Sequence, residues 1–350
     1  MASSSSPLVS VVIPVYNGQD SIANAIRSVL AQTYDNFELT IANNCSTDQT
    51  AAIAEEFARK DPRVRVYNAT EFVSVVDSHN RAFTLVSDRA EYFKILDADD
   101  SLFPNCLAEM VAVAESYPSI GMVSSYVLRD TRVVFDGLPL PGPFWNGREV
   151  CRRYLLDGTY VFGGPSASLL RAKVVREKRP FYNPRIYHGD TDAYLDIMQR
   201  YDFGYVYQVL SFQRRAQQAA TTPYLERMRA FPAANLDLLT RFGPIYLTPE
   251  ELEKRIRRAE HMYYSMLAQS LFERRGKEFW DFHRNLSTDL DSGINYAKLA
   301  KHAVYRVADV VLNPLNTGLR LARFAKGQVE TQTRPPSSTA APAPVKAVTR

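Results

Sequence analysis

The chain has 350 residues, of which 46% are hydrophobic and 23% are charged, and its formal net charge at pH 7 is only +4. This balance is typical of a soluble globular protein, and the length allows one large α/β domain with an additional segment. A net charge of this size gives no reason to expect nucleic acid as a partner.

The three cysteines, Cys45, Cys106 and Cys151, show no paired spacing. They fit neither a disulfide framework nor a zinc site, so we expect reduced thiols. Residues 1–7 are rich in serine and lack the pattern of a signal peptide. No apolar run reaches the roughly 18 residues that a membrane span needs. We therefore predict a cytoplasmic protein whose residues 1–7 are disordered.

Apolar runs and helical patterns alternate along the first part of the chain. Residues 8–15 are rich in valine and isoleucine, which predicts a strand buried on both faces. Further strands are predicted over residues 37–42, 64–67, 92–96 and 122–127, with helices between them. This alternation is typical of an α/β protein with an open, doubly wound, mostly parallel sheet flanked by helices. Ligands of such sheets bind outside the carboxyl ends of the strands, so the loops there are expected to line one site.

The second part of the chain is less regular. The pattern weakens into connections rich in Pro and Gly between residues 131 and 160, and it returns in a helix predicted over residues 190–201 and a strand over 204–212. Residues 223–328 have helical periodicity throughout, which predicts a C-terminal helical appendage. Residues 329–350 are rich in Pro, Ser, Thr and Ala and are predicted to be disordered, because they offer little to bury.

Three carboxylates, those of Asp97, Asp99 and Asp100, follow the fourth predicted strand within four residues. Neighbouring carboxylates repel one another and resist ionising together, and a divalent cation relieves that repulsion. Oxygen ligands of this kind suit Mg²⁺ or Mn²⁺, which keep several waters and bridge to a substrate's phosphates. The position predicts a metal site. The alternative is a solvated acidic turn in which Asp97 or Asp99 caps the following helix.

Four segments resemble the inverting family 2 glycosyltransferases, which have the GT-A fold. They are residues 11–17 (VVIPVYN), 28–34 (SVLAQTY), 46–50 (STDQT) and 96–100 (LDADD). The resemblance implies a GT-A catalytic domain over residues 8–222, with nucleotide-sugar binding in 8–103 and the acceptor side in 104–222. It implies a metal-dependent, inverting transfer of a sugar from a nucleotide-diphosphate donor to a hydroxyl acceptor, in surface polysaccharide or glycoconjugate synthesis.

The same resemblance implies contacts to the donor. Pro14, Tyr16 and Asn17 lie in the turn where a nucleoside base could stack and form hydrogen bonds. Family members carry an acidic residue near Asn43. The amide still offers a donor and an acceptor to a base edge, but this departure leaves the nucleotide undetermined. Asn80 lies where the family places further donor contacts, and a plain helix surface is its alternative.

The resemblance also implies that Asp99 binds the metal directly, and that Asp97 is a second ligand nearer the ribose or sugar. Ser166 follows a glycine pair in a segment that could form a wall against the sugar or acceptor. As a mere turn this segment would look the same. Arg214 and Arg215 follow the last predicted strand and could neutralise the leaving diphosphate, because guanidinium forks match phosphate oxygens.

An inverting transfer needs a carboxylate that removes the proton from the acceptor hydroxyl as it attacks the anomeric carbon. The resemblance implies that an acidic pair at a helix start supplies it, and Asp190 is the best match, with Asp192 as the alternate. The first residue of the family's pair is Gly189 in this chain, which is a departure. The alternative for Asp190 is a cap of the helix start, and the two roles do not exclude each other.

Residues 298–326 contain two basic, apolar helical stretches. A basic amphipathic helix can lie on an anionic membrane surface. This interpretation predicts peripheral attachment at the inner face of the cell membrane and suits a glycan or lipid-linked acceptor. The alternative is a helix packed on the catalytic domain with its basic residues outward.

Two other functions fit parts of the sequence. The departures at Asn43 and Gly189 fit a catalytically inactive binding protein with a GT-A-like fold. The spacing of Asp97 and Asp99 superficially permits an aspartate-nucleophile phosphotransferase, although that motif normally follows a first strand and here follows the fourth.

Overall fold

The computed structural model describes residues 6–139, 142–184, 186, 188–214, 222–288 and 294–312. The chain divides into two compact units, one comprising Met1–Tyr263 and Lys277–Gly293, the other Tyr264–Gly276 and Ile294–Arg350. The first unit includes the helices that immediately follow residue 222, and the predicted domain boundary at that residue stays a prediction. The tail predicted over 329–350 lies outside the described residues.

The central sheet is mostly parallel. Its strands are β1 (Val9–Val15), β2 (Phe37–Asn43), β3 (Val64–Asn68), β4 (Tyr92–Ile95), β5 (Ser101–Leu102), β6 (Ile120–Arg129), β7 (Arg132–Val134), β8 (Phe144–Trp145), β9 (Leu169–Arg171) and β10 (Asp202–Gln213). Their order is β3-β2-β1-β4-β9-β6-β10-β5, with β7 beside β6 and β8 beside β10. Strands β1 to β4 are parallel, as are β6 and β10, whereas β9 is antiparallel to both of its neighbours. The predicted fold class is confirmed.

The described helices are α1 (Ile22–Leu30), α2 (Thr50–Lys60), α3 (Val75–Thr84), α4 (Cys106–Ser116), α5 (Gly147–Asp157), α6 (Ala172–Glu177), α7 (Gly189–Ile197), α8 (Thr222–Met228), α9 (Phe231–Tyr246), α10 (Pro249–Phe272), α11 (Lys277–Thr288) and α12 (Tyr296–Leu312). A short 3-10 turn, Pro165–Ala167, precedes β9. Within the described ranges, no helix is both long and apolar enough to cross a membrane.

Helices cover both faces of the sheet, so the sheet borders two cores. Val11 and Ile13 of β1 pack in one core with Ile26 of α1, whereas Val12 packs in the other with Phe83 of α3. Successive side chains of a strand point to opposite faces. An unbroken apolar run is therefore what a strand at this position requires.

The strand order creates a switch point beside β1. The chain builds β2 and β3 outward on one side of β1 and then crosses to form β4 on its other side. Ligands of doubly wound sheets bind in the crevice at such a point, outside the carboxyl ends of the strands. The turns after β1 and β4 border this crevice, so the acidic residues that follow β4 lie at its edge.

Helix α5 corrects one expectation. The sequence predicted irregular connections between residues 131 and 160, yet α5 lies there. The side chain of Asn146 accepts hydrogen bonds from the N–H groups of Arg148 and Glu149, and Gly158 ends the helix with a φ of 84°. These are ordinary start and stop signals, which the surrounding Pro and Gly residues obscured.

The described chain is anchored from Ser6 onward, inside the segment predicted to be disordered. The carbonyl groups of Ser6 and Pro7 accept hydrogen bonds from Asn36 and Tyr34. These bonds attach the chain before β1 to the residues that lead into β2. Residues 1–5 lie outside the described residues.

His283 of α11 is a buried polar group within the first unit. Its Nε2–H donates to the carbonyl of Met228 at 2.8 Å, and its Nδ1 lies 3.3 Å from the Tyr263 hydroxyl. Burial lowers the pKa of His283 to about 4, although the bond to Met228 opposes the shift. The neutral imidazole with its proton on Nε2 satisfies both partners.

We expect this histidine to make the first unit less stable in acid. The unfolded chain takes up a proton at the ordinary pKa of 6.5, whereas the folded chain resists it until about pH 4. The stabilisation is therefore complete above pH 6.5 and is lost as the pH falls to 4. The loss amounts to about 3 kcal/mol of unfolding free energy. Denaturant unfolding at several pH values should show that His283→Gln removes this part of the pH dependence.

His261→Gln, at an exposed position of α10, is the matched control and should keep the parent's pH dependence. An unchanged slope in His283→Gln would contradict the assignment.

Candidate active site

The acidic turn after β4 pairs with a histidine of α3. The Nε2 of His79 donates to a carboxylate oxygen of Asp97 at 2.8 Å, and its Nδ1 donates to the carbonyl of Val75 at 2.9 Å. Burial alone would lower the pKa of His79, but the hydrogen bond to Asp97 and that residue's charge outweigh it and raise the pKa. Both ring nitrogens face acceptors, so the geometry favours the imidazolium. One oxygen of Asp97 is thus occupied by a cation of the protein.

Asp100 and Asp99 differ in exposure. Asp100 is buried, and burial together with the charge of Asp97 raises its pKa to about 8, despite hydrogen bonds from the Ser166 hydroxyl and the Arg214 N–H. Asp99 is exposed, although incomplete solvation of its carboxylate and the nearby Asp97 charge raise its pKa. The charge of Arg214 opposes that rise. Asp99 is therefore the carboxylate most accessible to a ligand, and Arg214 lies near it.

Ser166 lies beneath the acidic turn and is completely buried. Its hydroxyl accepts the N–H of Asp97 at 3.0 Å, and its carbonyl accepts the amine of Lys94 at 2.9 Å. Lys94 is also fully buried and donates to the carbonyl of Ser168 at 3.1 Å. Its burial and these bonds make Ser166 a support of the turn, and the sugar contact expected of it stays a prediction.

The acidic turn fits a divalent cation held jointly with a substrate. In the described part of the chain, no group of three or more His, Cys, Asp or Glu side chains is arranged to hold a metal. Mg²⁺ usually needs only one or two carboxylates, because waters and substrate phosphates complete its octahedron. Asp99 and the second oxygen of Asp97 are the two that remain available. The crowding that raises the pKa of Asp99 would be relieved by such a cation.

The turn after β1 is fastened to the turn after β2. Asn17 has a φ of 49°, its N–H donates to the Ser46 hydroxyl at 3.0 Å, and its side-chain oxygen accepts the N–H of Thr47 at 2.8 Å. The N–H of Gly18 donates to the Thr50 hydroxyl at 2.8 Å. The side-chain carbonyl of Asn17 is thus committed to the protein, and its amide nitrogen is left for a ligand.

Asn43 and Asn44, at the end of β2, are both buried. The amide nitrogen of Asn43 donates to the side chain of Asn68 at 2.9 Å, and its oxygen accepts the N–H of Ser46 at 3.1 Å. Asn44 is bonded in the same way to both main-chain groups of Val73. The expectation that Asn43 grips the base is therefore not supported by its contacts, because both ends of its amide are occupied inside the protein.

Two exposed aromatic rings, those of Tyr16 and Phe72, belong to the segments that follow β1 and β3. The ring of Tyr16 is in contact with that of Phe72, with centroids 4.7 Å apart, and both side chains are about half exposed, at 48% and 59%. Pro14, by contrast, lies inside β1, where it pairs with Ala42 and is buried. Of the residues predicted to contact the base, Tyr16 is thus well placed, and Pro14 lies below the turn.

Asn80 fixes the main chain of a distant segment. Its amide nitrogen donates to the carbonyl of Tyr182 at 2.8 Å, and its amide oxygen accepts the N–H of Tyr182 at 2.8 Å. The predicted donor contact is replaced by this reciprocal pair. Tyr182 also packs against the start of α7, where a Cβ on Gly189 would lie 3.2 Å from the Tyr182 Cβ. The departure at Gly189 therefore permits this close packing.

Asp190 is half-buried in the first turn of α7. One of its carboxylate oxygens accepts the N–H of Thr191 at 2.7 Å. Burial, followed by several charges that include those of Asp190 and Asp97, raises the pKa of both Tyr182 and Tyr194. The charges of Asp97 and Asp190 also raise the pKa of His79. The two carboxylates therefore both lie near one group of side chains.

Asp192, the alternate base, is buried and ion-paired with Arg241 of α9. This pair occupies one carboxylate oxygen of Asp192, whose role as alternate base stays a prediction. His188 precedes α7 and lies against Phe231, and burial lowers its pKa despite the charge of Asp190. Arg215, predicted to act with Arg214, lies outside the described residues.

Several residues of this site were not predicted from the sequence. Lys94 had a signal, since it is a charged residue in an otherwise apolar strand. Phe72 and Tyr182 had none, because exposed loop aromatics and core aromatics look alike in a sequence. Arg241 lies 49 residues from its partner Asp192, on a helix that the sequence placed in the appendage.

Comparisons with known proteins agree with the fold. Residues 10–177 match the family model described as "Glycosyl transferase family 2". The putative teichuronic acid biosynthesis glycosyltransferase TuaG of Bacillus subtilis is 36% identical over 94 residues, which are 27% of this chain and 36% of that protein. The chain covers only 13% and 55% of the length of two other curated relatives.

Two solved structures share the fold at low sequence identity. Staphylococcus aureus TarS 1–349 in complex with UDP has a TM-score of 0.53 and 15% identity, covering 79% of this chain and 78% of that one. The mannosyltransferase PcManGT of Pyrobaculum calidifontis, in complex with GDP-Man and Mn²⁺, has a TM-score of 0.52 and 16% identity, covering 87% and 88%. Residues 10–177 of this chain thus resemble glycosyl transferase family 2, and the chain shares the GT-A fold.

Proposed function

We propose that this chain is a metal-dependent inverting glycosyltransferase, which moves a sugar from a nucleotide-diphosphate donor to a hydroxyl acceptor. The observation that carries the proposal is the position of Asp97 and Asp190, whose charges act on the same His79, Tyr182 and Tyr194. In this proposal Asp97 would serve the donor side and Asp190 the acceptor side, and their shared influence on these three side chains supports it.

On the donor side, Asp99 and Asp97 would hold Mn²⁺ or Mg²⁺. Such an ion supplies Lewis-acid stabilisation of the charge that develops on the leaving diphosphate. Arg214, whose charge already acts on Asp99, would add a guanidinium at the same place. The likeness to a transferase solved with GDP-Man and Mn²⁺ supports this arrangement.

The nucleoside would lie against the exposed rings of Tyr16 and Phe72. Base stacking on an aromatic ring suits any base, because every base has a π face. The amides of Asn43 and Asn44 are occupied within the protein, so they offer little discrimination between bases. The two similar structures also hold different nucleotides, UDP in one and GDP-Man in the other.

On the acceptor side, Asp190 would be the general base. Thr191 holds one of its carboxylate oxygens at 2.7 Å, so the other oxygen can accept the proton of the acceptor hydroxyl. As that proton leaves, the acceptor oxygen bonds to the anomeric carbon, and the bond from this carbon to the diphosphate oxygen breaks. Attack opposite the leaving group inverts the anomeric configuration. The protonated Asp190 and the free nucleotide diphosphate complete the balance.

The acceptor is a glycan or a lipid-linked glycan in surface polysaccharide or glycoconjugate synthesis. The similarity to TuaG, named for teichuronic acid biosynthesis, supports this class. Basic and apolar residues of α12 support a location at a membrane surface. Val304, Tyr305 and Leu312 are each at least 60% exposed, and Lys301 and Arg306 lie beside them on exposed positions. The rest of the predicted segment, 313–326, lies outside the described residues.

The first prediction concerns the metal and the donor. With Mn²⁺ or Mg²⁺ and a panel of sugar nucleotides, release of nucleotide diphosphate should be observed with at least one donor. Asp99→Asn should lower this rate on the order of 10²-fold, because it removes a charge that binds the ion at the reacting diphosphate. Asp77→Asn, at an exposed position of α3, is the control and should keep the parent rate.

Full activity in Asp99→Asn would contradict the metal role. A thermal shift with nucleotides but no turnover with any donor would favour the inactive binding protein. A labelled aspartate after incubation with a phosphate donor would favour the phosphotransferase.

The second prediction separates the two acidic residues of α7. Asp190→Asn should lower kcat by about 10²- to 10⁴-fold, the usual contribution of a general base, with the donor KM little changed. Asp192→Asn should lower kcat by less than about tenfold, because the residue supports the helix without touching the acceptor. Steady-state kinetics with saturating metal would measure both. Equal losses in the two variants would sink the assignment of the base to Asp190.

The third prediction concerns α12. Binding to vesicles that contain anionic lipid should weaken by at least about tenfold in Val304→Asp/Val307→Asp, since two apolar side chains leave the interface. Lys254→Glu, at an exposed position of α10, changes the net charge by the same amount and should bind as the parent does. Co-sedimentation measures both variants. Identical losses in the two, or no binding by the parent, would exclude α12 as the membrane contact.

A further inference from the structure

Helix α9 carries an arginine that reaches the base-bearing helix. A guanidinium nitrogen of Arg241 donates to the carboxylate of Asp192, in the first turn of α7. Its other nitrogens donate to Asp237, one turn earlier on α9, at 2.7 and 3.0 Å. One guanidinium therefore joins two carboxylates from two helices, with the planar geometry that an arginine fork provides.

The two partners of this ion pair differ in exposure, and the carboxylate on α7 is the buried one. The side chain of Asp192 is only 8% exposed, whereas that of Arg241 is 35% exposed. A carboxylate this deeply buried is costly unless it is paired, and removal of its partner leaves an uncompensated charge. The position of the first turn of α7 is thus coupled to the position of α9.

Other contacts also reach the start of α7, among them the bond from the Thr191 hydroxyl to Tyr160 and the packing of Tyr182 against Gly189. The residue before α7, His188, makes no side-chain cap bond, and the first residue of α7 is a glycine.

Tyr246, at the end of α9, donates its hydroxyl to the carbonyl of Leu195. Helix α9 therefore contacts α7 by hydrogen bonds near both ends. Asp190 lies two residues before Asp192, on the same turn.

We propose that Arg241 is a positioning residue for the general base, which holds the first turn of α7, and so the Asp190 carboxylate, through Asp192. The proposal rests on the proposed function for its catalytic consequence. It makes α9, which lies beyond the residues matched by the family model, part of the catalytic unit. The orientation of the Asp190 carboxylate toward the acceptor hydroxyl thus depends on α9, which lies outside the matched residues.

The test compares Arg241→Ala, Arg241→Lys, Asp192→Asn and the double variant Arg241→Ala/Asp192→Asn. Arg241→Ala should lower kcat on the order of 10²-fold, because a small displacement of a reacting group costs that much. The donor KM should stay within about twofold, since the donor groups follow β1 and β4. Arg241→Lys should recover part of the loss, whereas the double variant should stay close to Arg241→Ala, because both lack the link between α9 and α7. Arg257→Ala, which removes an exposed pair with Glu253, is the control.

Amide hydrogen exchange over residues 188–197 gives a readout that does not need turnover. Arg241→Ala should exchange faster there than the parent, and the double variant should exchange about as fast as Arg241→Ala, with thermal melting showing that each variant is folded. Unchanged kcat and unchanged exchange in Arg241→Ala would overturn the inference. A rise in donor KM with constant kcat, or strictly additive effects in the cycle, would overturn it as well. Faster exchange in Arg241→Ala beside a parent that turns over no donor would sink the proposed function and leave the coupling of α9 to α7 in place.

Discussion

The candidate site depends on a buried amine. Lys94 lies on β4, is fully enclosed, and donates to the carbonyl groups of Ser166 and Ser168 at 2.9 and 3.1 Å. These bonds attach the central strand to the 3-10 turn before β9, and the Ser166 hydroxyl in turn holds the N–H of Asp97. Burial lowers the pKa of Lys94, and a buried amine is costly unless it is hydrogen-bonded, so the arrangement allows little variation. Hydrogen bonds from below thus hold the acidic turn in place, while the side chain of Asp99 stays exposed.

The polar residues at the ends of β1 and β2 form hydrogen bonds within the protein. Asn17 fastens one turn to the next, and Asn43 and Asn44 have their amides bonded inside the protein. A satisfied buried amide is costly to detach, because both of its ends would lose partners. In the proposed function, donor recognition would fall to the groups that remain exposed, namely the rings of Tyr16 and Phe72 and the charges near Asp99.

The two sides of the site have different relations to the family. The donor side lies within the residues that match the family model, whereas Asp190 lies beyond them. The acceptor side departs at Gly189, where the absence of a side chain lets Tyr182 pack against α7. It also depends on Arg241, from a helix further along the chain. The part of the site that should read the acceptor is thus the part that this chain has arranged in its own way.

The sequence by itself determined the fold class, six of the ten described strands and the position of the acidic turn. The apolar run of β1 and the alternation with amphipathic helices are local patterns, whereas the short strands β5, β7, β8 and β9 carry too few residues to show one. Tyr16 and Asp99 could be named because a turn after a strand exposes its side chains. The start and stop signals of α5 were also present, at Asn146 and Gly158, although neighbouring Pro and Gly residues obscured them.

Only the tertiary structure decided what the other polar residues do. Asn43, Asn80 and Ser166 have the residue types of ligand contacts, yet their hydrogen bonds run to groups that are distant in sequence or buried below the site. One carboxylate oxygen of Asp192 is likewise occupied, by Arg241. A sequence gives the chemistry of a side chain, but whether that chemistry is available depends on partners that packing brings from elsewhere in the chain.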